Sequence, residues 1–257
     1  MIITTSRGFS PELEEEAVRM ADKLGAVWVP RQNVSLHELL AKADDHMVLL
    51  LARGQWKLYR DGAAPLFFHP SSAMLRIKRL LQGGADPLLT ACAIAAGDSV
   101  LDCTAGLCSD AIVFAYAVGA QGTVEALESE PVLAELLAHG VRRYVSGQAA
   151  VDQAMRRVRV TCADHCEVLA SLPDNSRDIV YFDPMFRTPI AHSQAISPLR
   201  GIANDRPLSR EAVCQAVRVA KRRVVLKEQM DSGEFARLGF SEIIHTSSKI
   251  AYGVMKP

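Results

Sequence analysis

No stretch of the 257-residue chain is apolar for long enough to cross a bilayer; Met47–Ala52 and Ala111–Ala120 are its most apolar runs, far short of the ~20 residues a spanning helix needs. Met1–Ser10 lacks the charged stretch and apolar run of a secretory leader. These absences set the expectation of a cytoplasmic protein with no membrane partner. Net charge is missing as well, since 29 Lys+Arg balance 29 Asp+Glu. A strongly basic chain would point to nucleic acid, so RNA is left with a local basic face at most. No CxxC pair occurs among Cys92, Cys103, Cys108, Cys162, Cys166 and Cys214. They are expected to be buried free thiols. A thiol-lined pocket of Cys103, Cys108 and Cys162 is the alternative, and no metal site is expected. There is no internal repeat or low-complexity segment.

What is present fits a folded protein. Hydrophobic residues make up 49% and charged residues 23% of the chain, which argues against extensive disorder. The length suits one large α/β domain with a small appendage. We place a small N-terminal α/β subdomain at 1–68 and the main domain at 69–257. In the first, Ile2–Thr5, Val27–Val29, Met47–Ala52 and Gln55–Tyr59 read as strands. Ser10-Pro11-Glu12 opens a helix that Gly25 stops, and Ser35-Leu36-His37-Glu38 is a capping box. Pro65 to Pro70 reads as a connector, followed by a bridging helix over Ser72–Leu81.

From Asp98 apolar strands alternate with helices. Strands are predicted at Ser99–Asp102, Thr123–Glu128, Arg157–Thr161, Asp178–Asp183 and Arg223–Lys227. The intervening helices are Ser109–Val118, Pro131–Tyr144, His165–Ser171 and Ser209–Ala220, with another over Asp231–Leu238 opened by an Asp231/Glu234 capping box. Ser241–Thr246 and Ile250–Met255 should pair as a closing hairpin, making one strand antiparallel. The expected fold is α/β: a Rossmann-like, doubly wound, mostly parallel sheet with a C-terminal antiparallel hairpin strand, plus the small N-terminal subdomain. Ligands of such sheets bind beyond the carboxyl ends of the strands, near the switch point.

Four strand ends carry candidate chemistry. The first leaves Asp102 before a turn holding Thr104 and one glycine, Gly106, and a helix opening at Ser109-Asp110. Pyrophosphate loops want several glycines, so a P-loop is excluded and a nicotinamide loop is poorly supported. An acidic residue here suits the ammonium of S-adenosylmethionine, which carries no phosphate. The second ends at Glu128-Ser129, 26 residues on, where a carboxylate can accept from both ribose hydroxyls; the alternative is a solvated residue opening the next helix. The third ends at Asp164-His165, where Asp164 can accept from the adenine amine, cap the following helix, or do both. The fourth ends at Asp183-Pro184-Met185-Phe186. Asp183 can accept one N–H of a planar amine and the Pro184 carbonyl another, while Phe186 stacks on the base. The alternative is an Asp-Pro turn closing a strand.

With these segments, the chain resembles class I S-adenosylmethionine-dependent methyltransferases. More narrowly it resembles the family of small-subunit ribosomal RNA guanine-N2 methyltransferases of the J type and their Gram-positive relatives, over roughly residues 65 to 257. Phe67-Phe68-His69-Pro70-Ser71 and the helix with Arg76, Lys78 and Arg79 share in the likeness. The resemblance implies cofactor contacts at Ser109-Asp110, Glu128-Ser129, Asp164-His165 and Asp183. Two departures stand out: the family's loop has Gly where this chain has Cys108 and Arg where it has Ser109, and Arg187-Thr188 follows the fourth motif in place of Pro and a basic stretch.

The 185–207 segment has little regular pattern and is expected to cover the substrate. Arg187, Arg200 and Arg206 could meet phosphates, as could Arg76; the alternative is ordinary surface arginines. Further basic clusters lie at Arg156-Arg157-Val158-Arg159 and Lys221-Arg222-Arg223, and His69 and His192 read as structural or surface residues. The leading expectation is an enzyme that methylates an exocyclic amine of RNA, with the base extruded into the pocket. A small-molecule or protein amine, a non-catalytic cofactor-binding module and, distantly, a nicotinamide oxidoreductase compete with it. The sequence leaves the oligomeric state open.

Overall fold

The computed structural model describes residues 1–8, 10–185, 201, 202, 204 and 206–257. The N-terminal part builds one five-stranded sheet from β1 (Ile2–Thr5), β2 (Val27–Trp28), β3 (Met47–Leu51), β4 (Lys57–Arg60) and β5 (Leu66–Phe67), in the order β2-β1-β3-β4-β5. Its helices are α1 (Pro11–Leu24) and α2 (Leu36–Lys42). On α1, Leu13, Ala17, Met20 and Ala21 turn one apolar face inward, and Gly25 ends the helix in the left-handed conformation that a residue without Cβ adopts freely. Ser10 flanks α1 but makes no cap bond; its hydroxyl donates to Glu12 instead. The Ser35/Glu38 capping box forms as the sequence predicts. β5 lies inside the stretch read as a connector; its two residues are too few to show any alternation.

Two helices lead out, α3 (Ser71–Leu81) and α4 (Pro87–Cys92), the latter capped by Asp86. Then come β6 (Ser99–Asp102), α5 (Ser109–Val118), β7 (Thr123–Glu128), α6 (Pro131–Arg143), α7 (Ala149–Arg157), β8 (Val158–Cys162), α8 (His165–Ser171) and β9 (Arg177–Phe182). After these follow α9 (Arg210–Val219), β10 (Ala220–Gln229), α10 (Glu234–Leu238), β11 (Glu242–His245) and β12 (Ile250–Met255). The seven strands order as β11-β12-β10-β9-β6-β7-β8. Neighbours from β10 to β8 are parallel, while β12 runs antiparallel to both β10 and β11. The chain winds outward from β6 to β8, then returns to place β9 on the other side of β6. That reversal is the switch point, and it opens a crevice at the carboxyl ends of β6, β7 and β9.

Burial explains the layers. In β9, Ile179, Val180, Tyr181 and Phe182 are all fully buried, as a strand covered on both faces requires. Ile112, Val113, Phe114 and Ala115 of α5 are buried all round the helix, which therefore runs inside the domain. Three sequence expectations are corrected. Asp231 starts no helix: α10 begins at Glu234 behind Gly233, so the second capping box does not form. α4 and α7 were not foreseen, being short, although Asp86-Pro87 opens α4 with a cap and a first-turn proline. Only Cys92, Cys103 and Cys108 are buried, whereas Cys162, Cys166 and Cys214 are exposed; all six are free thiols.

The two sheets are fastened through α6. Trp56 stacks on His139 with ring centroids 4.1 Å apart. One residue on, a Cβ at Gly140 would come within 2.1 Å of the Phe68 ring, so only glycine lets that ring lie on the helix.

Candidate active site

The crevice at the switch point is an open cleft enclosing about 670 Å³ when its solvent-filled mouth is counted. The turn after β6 contributes Thr104 and Gly106, the end of β7 contributes Glu128 and Ser129, and the end of β9 contributes Asp183 and Pro184. His165, first residue of α8, lines it too. Backbone bonds extend the sheet into the turns: Cys103 N–H donates to the Tyr181 carbonyl and Ala105 N–H to that of Leu127, both at 2.9 Å. The Asp183 N–H donates to Thr104 Oγ1 at 2.5 Å, locking the first loop to the fourth. Gly106 takes a φ of 53°, in the left-handed region. Cys108 does the same at 59°, which gives a physical reason for glycine at that place in the J-type loop.

The acidic strand ends are not equivalent. Asp102 is 1% exposed and lies under the cleft rather than on its wall. Burial pushes its carboxyl up to about 8, against the pull of the Thr104 N–H that donates to it. Burial also pushes Glu128 up to about 7, opposed by the Glu130 N–H at 3.0 Å. Asp164 caps α8, accepting from Cys166 N–H at 2.7 Å. The cap reading therefore applies, and it is Ala163 and His165 on either side that line the cleft. His165 packs edge-on against Phe182, and burial lowers its pKa.

Asp110 and Arg76 have other engagements. Asp110 accepts from Tyr181 Oη at 2.6 Å, from Lys227 Nζ at 3.1 Å and from Arg76. Burial opposes its ionisation, but Lys227 and Arg76 outweigh it and hold the carboxyl far below the usual range. Arg76 also grips Asp86 with two bonds of 2.7 and 2.9 Å. Its guanidinium is thus consumed in a largely buried ion pair and corrects the expectation of a phosphate contact. Ser109 and Asp110 are not among the cleft's lining residues. Phe186, Arg187, Arg200 and His192 lie outside the described residues.

Several participants went unread in the sequence. Asn204 and Leu208 line the cleft from the segment after the fourth motif, beside Arg206, which the sequence offers as a phosphate contact, and the Asn204 amide reaches Ser129 Oγ at 3.5 Å. A long patternless stretch after the Asp-Pro motif was the only signal for them. Lys227, which donates to Asp183 Oδ2 at 2.7 Å, closes the predicted strand Arg223–Lys227, and that carboxyl-end position was a signal that went unread. Of the alternative thiol-lined pocket, only Cys103 touches the cleft.

The donor set suits a cationic nucleoside with a free ribose. Among the described residues, the buried carboxyl groups of Asp102 and Glu128 have no cation in direct contact, and the cleft's residues form no multi-glycine anion cradle. The raised values have a measurable consequence. The folded protein keeps protons on Asp102 and Glu128 that the unfolded chain releases near its ordinary values of 3.8 and 4.5. Those two groups therefore make the ligand-free protein less stable as pH rises through that window toward about 8. A cation that needs them ionised binds more tightly over the same rise. The thermal stabilisation given by saturating S-adenosylmethionine should grow between about pH 6 and pH 8.5. A stabilisation flat across that range, measured by scanning calorimetry, would contradict the assignment.

Comparison with known proteins agrees with this geometry. Residues 32–239 match the family model described as "Putative SAM-dependent methyltransferase". The chain is 38% identical over 255 residues to "Uncharacterized protein YpiP" of Bacillus subtilis (strain 168), covering 99% of each chain. It is 30% identical over 216 residues to ribosomal RNA small subunit methyltransferase J of Pseudomonas syringae pv. tomato, covering 79% of this chain and 76% of that one. Among solved structures it shares its fold with a SAM-dependent methyltransferase of Neisseria gonorrhoeae, with a TM-score of 0.67, 20% identity, and coverage of 100% and 96%. The crevice at the β6–β9 reversal, the carboxylates around it and the match over most of the sequence converge: the chain belongs to the family of S-adenosylmethionine-dependent methyltransferases that are relatives of ribosomal RNA small subunit methyltransferase J.

Proposed function

We propose that the protein methylates the exocyclic amine of a base in RNA, with guanine N2 of small-subunit ribosomal RNA as the first acceptor to test. One observation carries the amine chemistry: Asp183-Pro184 closes β9 on the wall of the same cleft that Thr104 and Glu128 line. The ribosomal acceptor is supported by the relatives named for that reaction.

S-adenosylmethionine supplies an electrophilic methyl on a sulfonium that leaves as a neutral thioether. The chain's residues do the rest. Glu128 accepts from the ribose hydroxyls, and Asp102 beneath the first loop balances positive charge. Asp183 accepts one amine N–H and the Pro184 carbonyl the other, which turns the nitrogen lone pair out of conjugation and toward the methyl. The nitrogen becomes cationic, and its proton passes to Asp183 and then to water.

Within the basic clusters only some charge is neutralised. Arg222 is paired with Asp98, whereas Arg223 donates to the Ala91 carbonyl and Arg156 to the carbonyls of Val141 and Tyr144 at the end of α6, neutral acceptors that leave the guanidinium charge in place. The acceptor is expected to be chosen by shape and by the base in the pocket as well as by charge.

The test is mass spectrometry of ribosomal RNA nucleosides from cells with and without the gene. It is paired with transfer of labelled methyl by purified protein onto RNA from the deletion strain. Loss of one N2-methylguanosine, restored in vitro, is the expected result. Unchanged nucleosides, with label appearing in protein or metabolite fractions, would replace this acceptor with a small-molecule or protein amine, which the zero net charge also permits.

A further inference from the structure

The residue with the most consequential unassigned position is Lys227, near the carboxyl end of β10, paired with β12 and one residue beyond the last pair with β9. Its ammonium donates to Asp183 Oδ2 at 2.7 Å and to Asp110 Oδ2 at 3.1 Å. An ion pair at this place could be simple charge balance for a buried cluster. The partners argue otherwise. Asp86 is satisfied by the two-pronged grip of Arg76 and by the first amides of α4. Asp110 has Arg76 and the Tyr181 hydroxyl. Among the described residues, Asp183 is the carboxylate in this cluster whose one cationic contact is Lys227. Removing the ammonium therefore falls mainly on Asp183.

We propose, resting on the amine-transfer reading above, that Lys227 is the positioning residue for Asp183: anchored on Asp110, its ammonium occupies Asp183 Oδ2 and leaves the other oxygen to accept the amine N–H. The strand supplies the precision. Lys227 lies opposite Tyr252 in the ladder with β12, and its neighbour Leu226 lies opposite Phe182 in the ladder with β9. The base of the side chain is thus held by two strands, and its tip by two carboxylates.

The pairing also sets the charge of Asp183. Facing that carboxyl are Lys227 from β10, Asp110 from α5, Arg76 from α3 with Asp86 behind it, Asp102 from β6, and Tyr181 from β9, while Tyr252 from β12 faces Lys227. Burial is the largest influence and favours the neutral acid; Lys227 opposes it most, and Asp110 adds to it. Lys227 in turn stays charged despite burial because Asp110 and Asp183 outweigh the desolvation. The carboxyl's pKa is raised even with Lys227 in place, so losing the ammonium shifts Asp183 further toward the neutral acid, which donates where it should accept.

The experiment is a carboxyl ¹³C NMR titration of Asp-labelled protein, with the Asp183 resonance assigned by its loss in Asp183→Asn. Lys227→Met should raise the Asp183 titration by about one pH unit or more, and Lys227→Arg should return most of that shift. Cofactor affinity should stay within about threefold. The acid limb of the single-turnover transfer rate should move upward with the titration, with transfer at neutral pH slowed roughly 10–100-fold. An Asp183 that titrates in Lys227→Met as in the wild type overturns the proposal. If Lys227→Met does not fold, Lys227→Gln is titrated in the same way. Unfolding of both, with Lys227→Arg folded, also overturns it, since the ammonium is then required by the fold. A wild-type protein that transfers no methyl to RNA refutes the acceptor instead, and the titration still decides the role of Lys227.

Discussion

Asp183→Ala is expected to lower kcat by about 10²–10⁴-fold while cofactor affinity changes little. Asp183 lines the cleft beside Pro184, whereas the groups suited to the nucleoside, Glu128 above all, stand at the end of a different strand. The loss should therefore appear in the transfer step rather than in binding. The substitution leaves the fold supported, because Lys227 keeps Asp110 as a partner at 3.1 Å and Thr104 is still met by the backbone N–H of residue 183. Calorimetric titration with S-adenosylmethionine and single-turnover transfer on the same preparation make the check. Equal transfer rates in variant and wild type would remove Asp183 from the chemistry.

The largest expected effect on stability is at Arg76. Its guanidinium bridges Asp86 and Asp110, two carboxylates that are themselves 4% and 8% exposed. Burial works against the charged guanidinium, but the bonds and charges of Asp86 and Asp110 win and raise its pKa further. Arg76→Met keeps the apolar length of the side chain but leaves Asp86 with only the first amides of α4 and Asp110 with only Lys227 and the Tyr181 hydroxyl. Breaking a buried pair from one side costs about 3–5 kcal/mol, to be read from denaturant unfolding. A loss under about 1 kcal/mol would mean that the pair behaves like a surface one. Since Lys227 would then be drawn toward Asp110, Arg76→Met should also weaken transfer, although Arg76 does not line the cleft.

The sequence reading and the structure part company at identifiable places. Long elements with a strong period were legible: α1 ends at Gly25 where the sequence predicts, and β6, β7 and β9 end within a residue of Asp102, Glu128 and Asp183. Buried parallel strands write themselves as short apolar runs punctuated by a polar residue, so their carboxyl ends can be read directly. The two-residue β5, the six-residue α4 and the misplaced start of α10 were not legible, because so few residues carry no period and tertiary contacts decide them. Cap chemistry failed in two ways. Ser10 spends its hydroxyl on Glu12, and Gly233 takes the left-handed conformation that puts the start of α10 after Asp231.

The candidate site divides along the same line. The order of residues along the chain determined that acidic and small residues stand at the ends of successive strands, and hence that one edge of the sheet holds Thr104, Gly106, Glu128, Ser129 and Asp183. That follows from parallel winding, which brings every strand's carboxyl end to the same side. Which carboxylate does what was decided by the tertiary structure. Asp110 sits one position into α5, and a helix residue's direction depends on what packs against it. Here Arg76 from α3, Tyr181 from β9 and Lys227 from β10 meet it from separations of 34, 71 and 117 residues. No local pattern encodes such a meeting. The charge state of Asp183 and the burial of Asp102 exist only once distant segments have excluded water from between them.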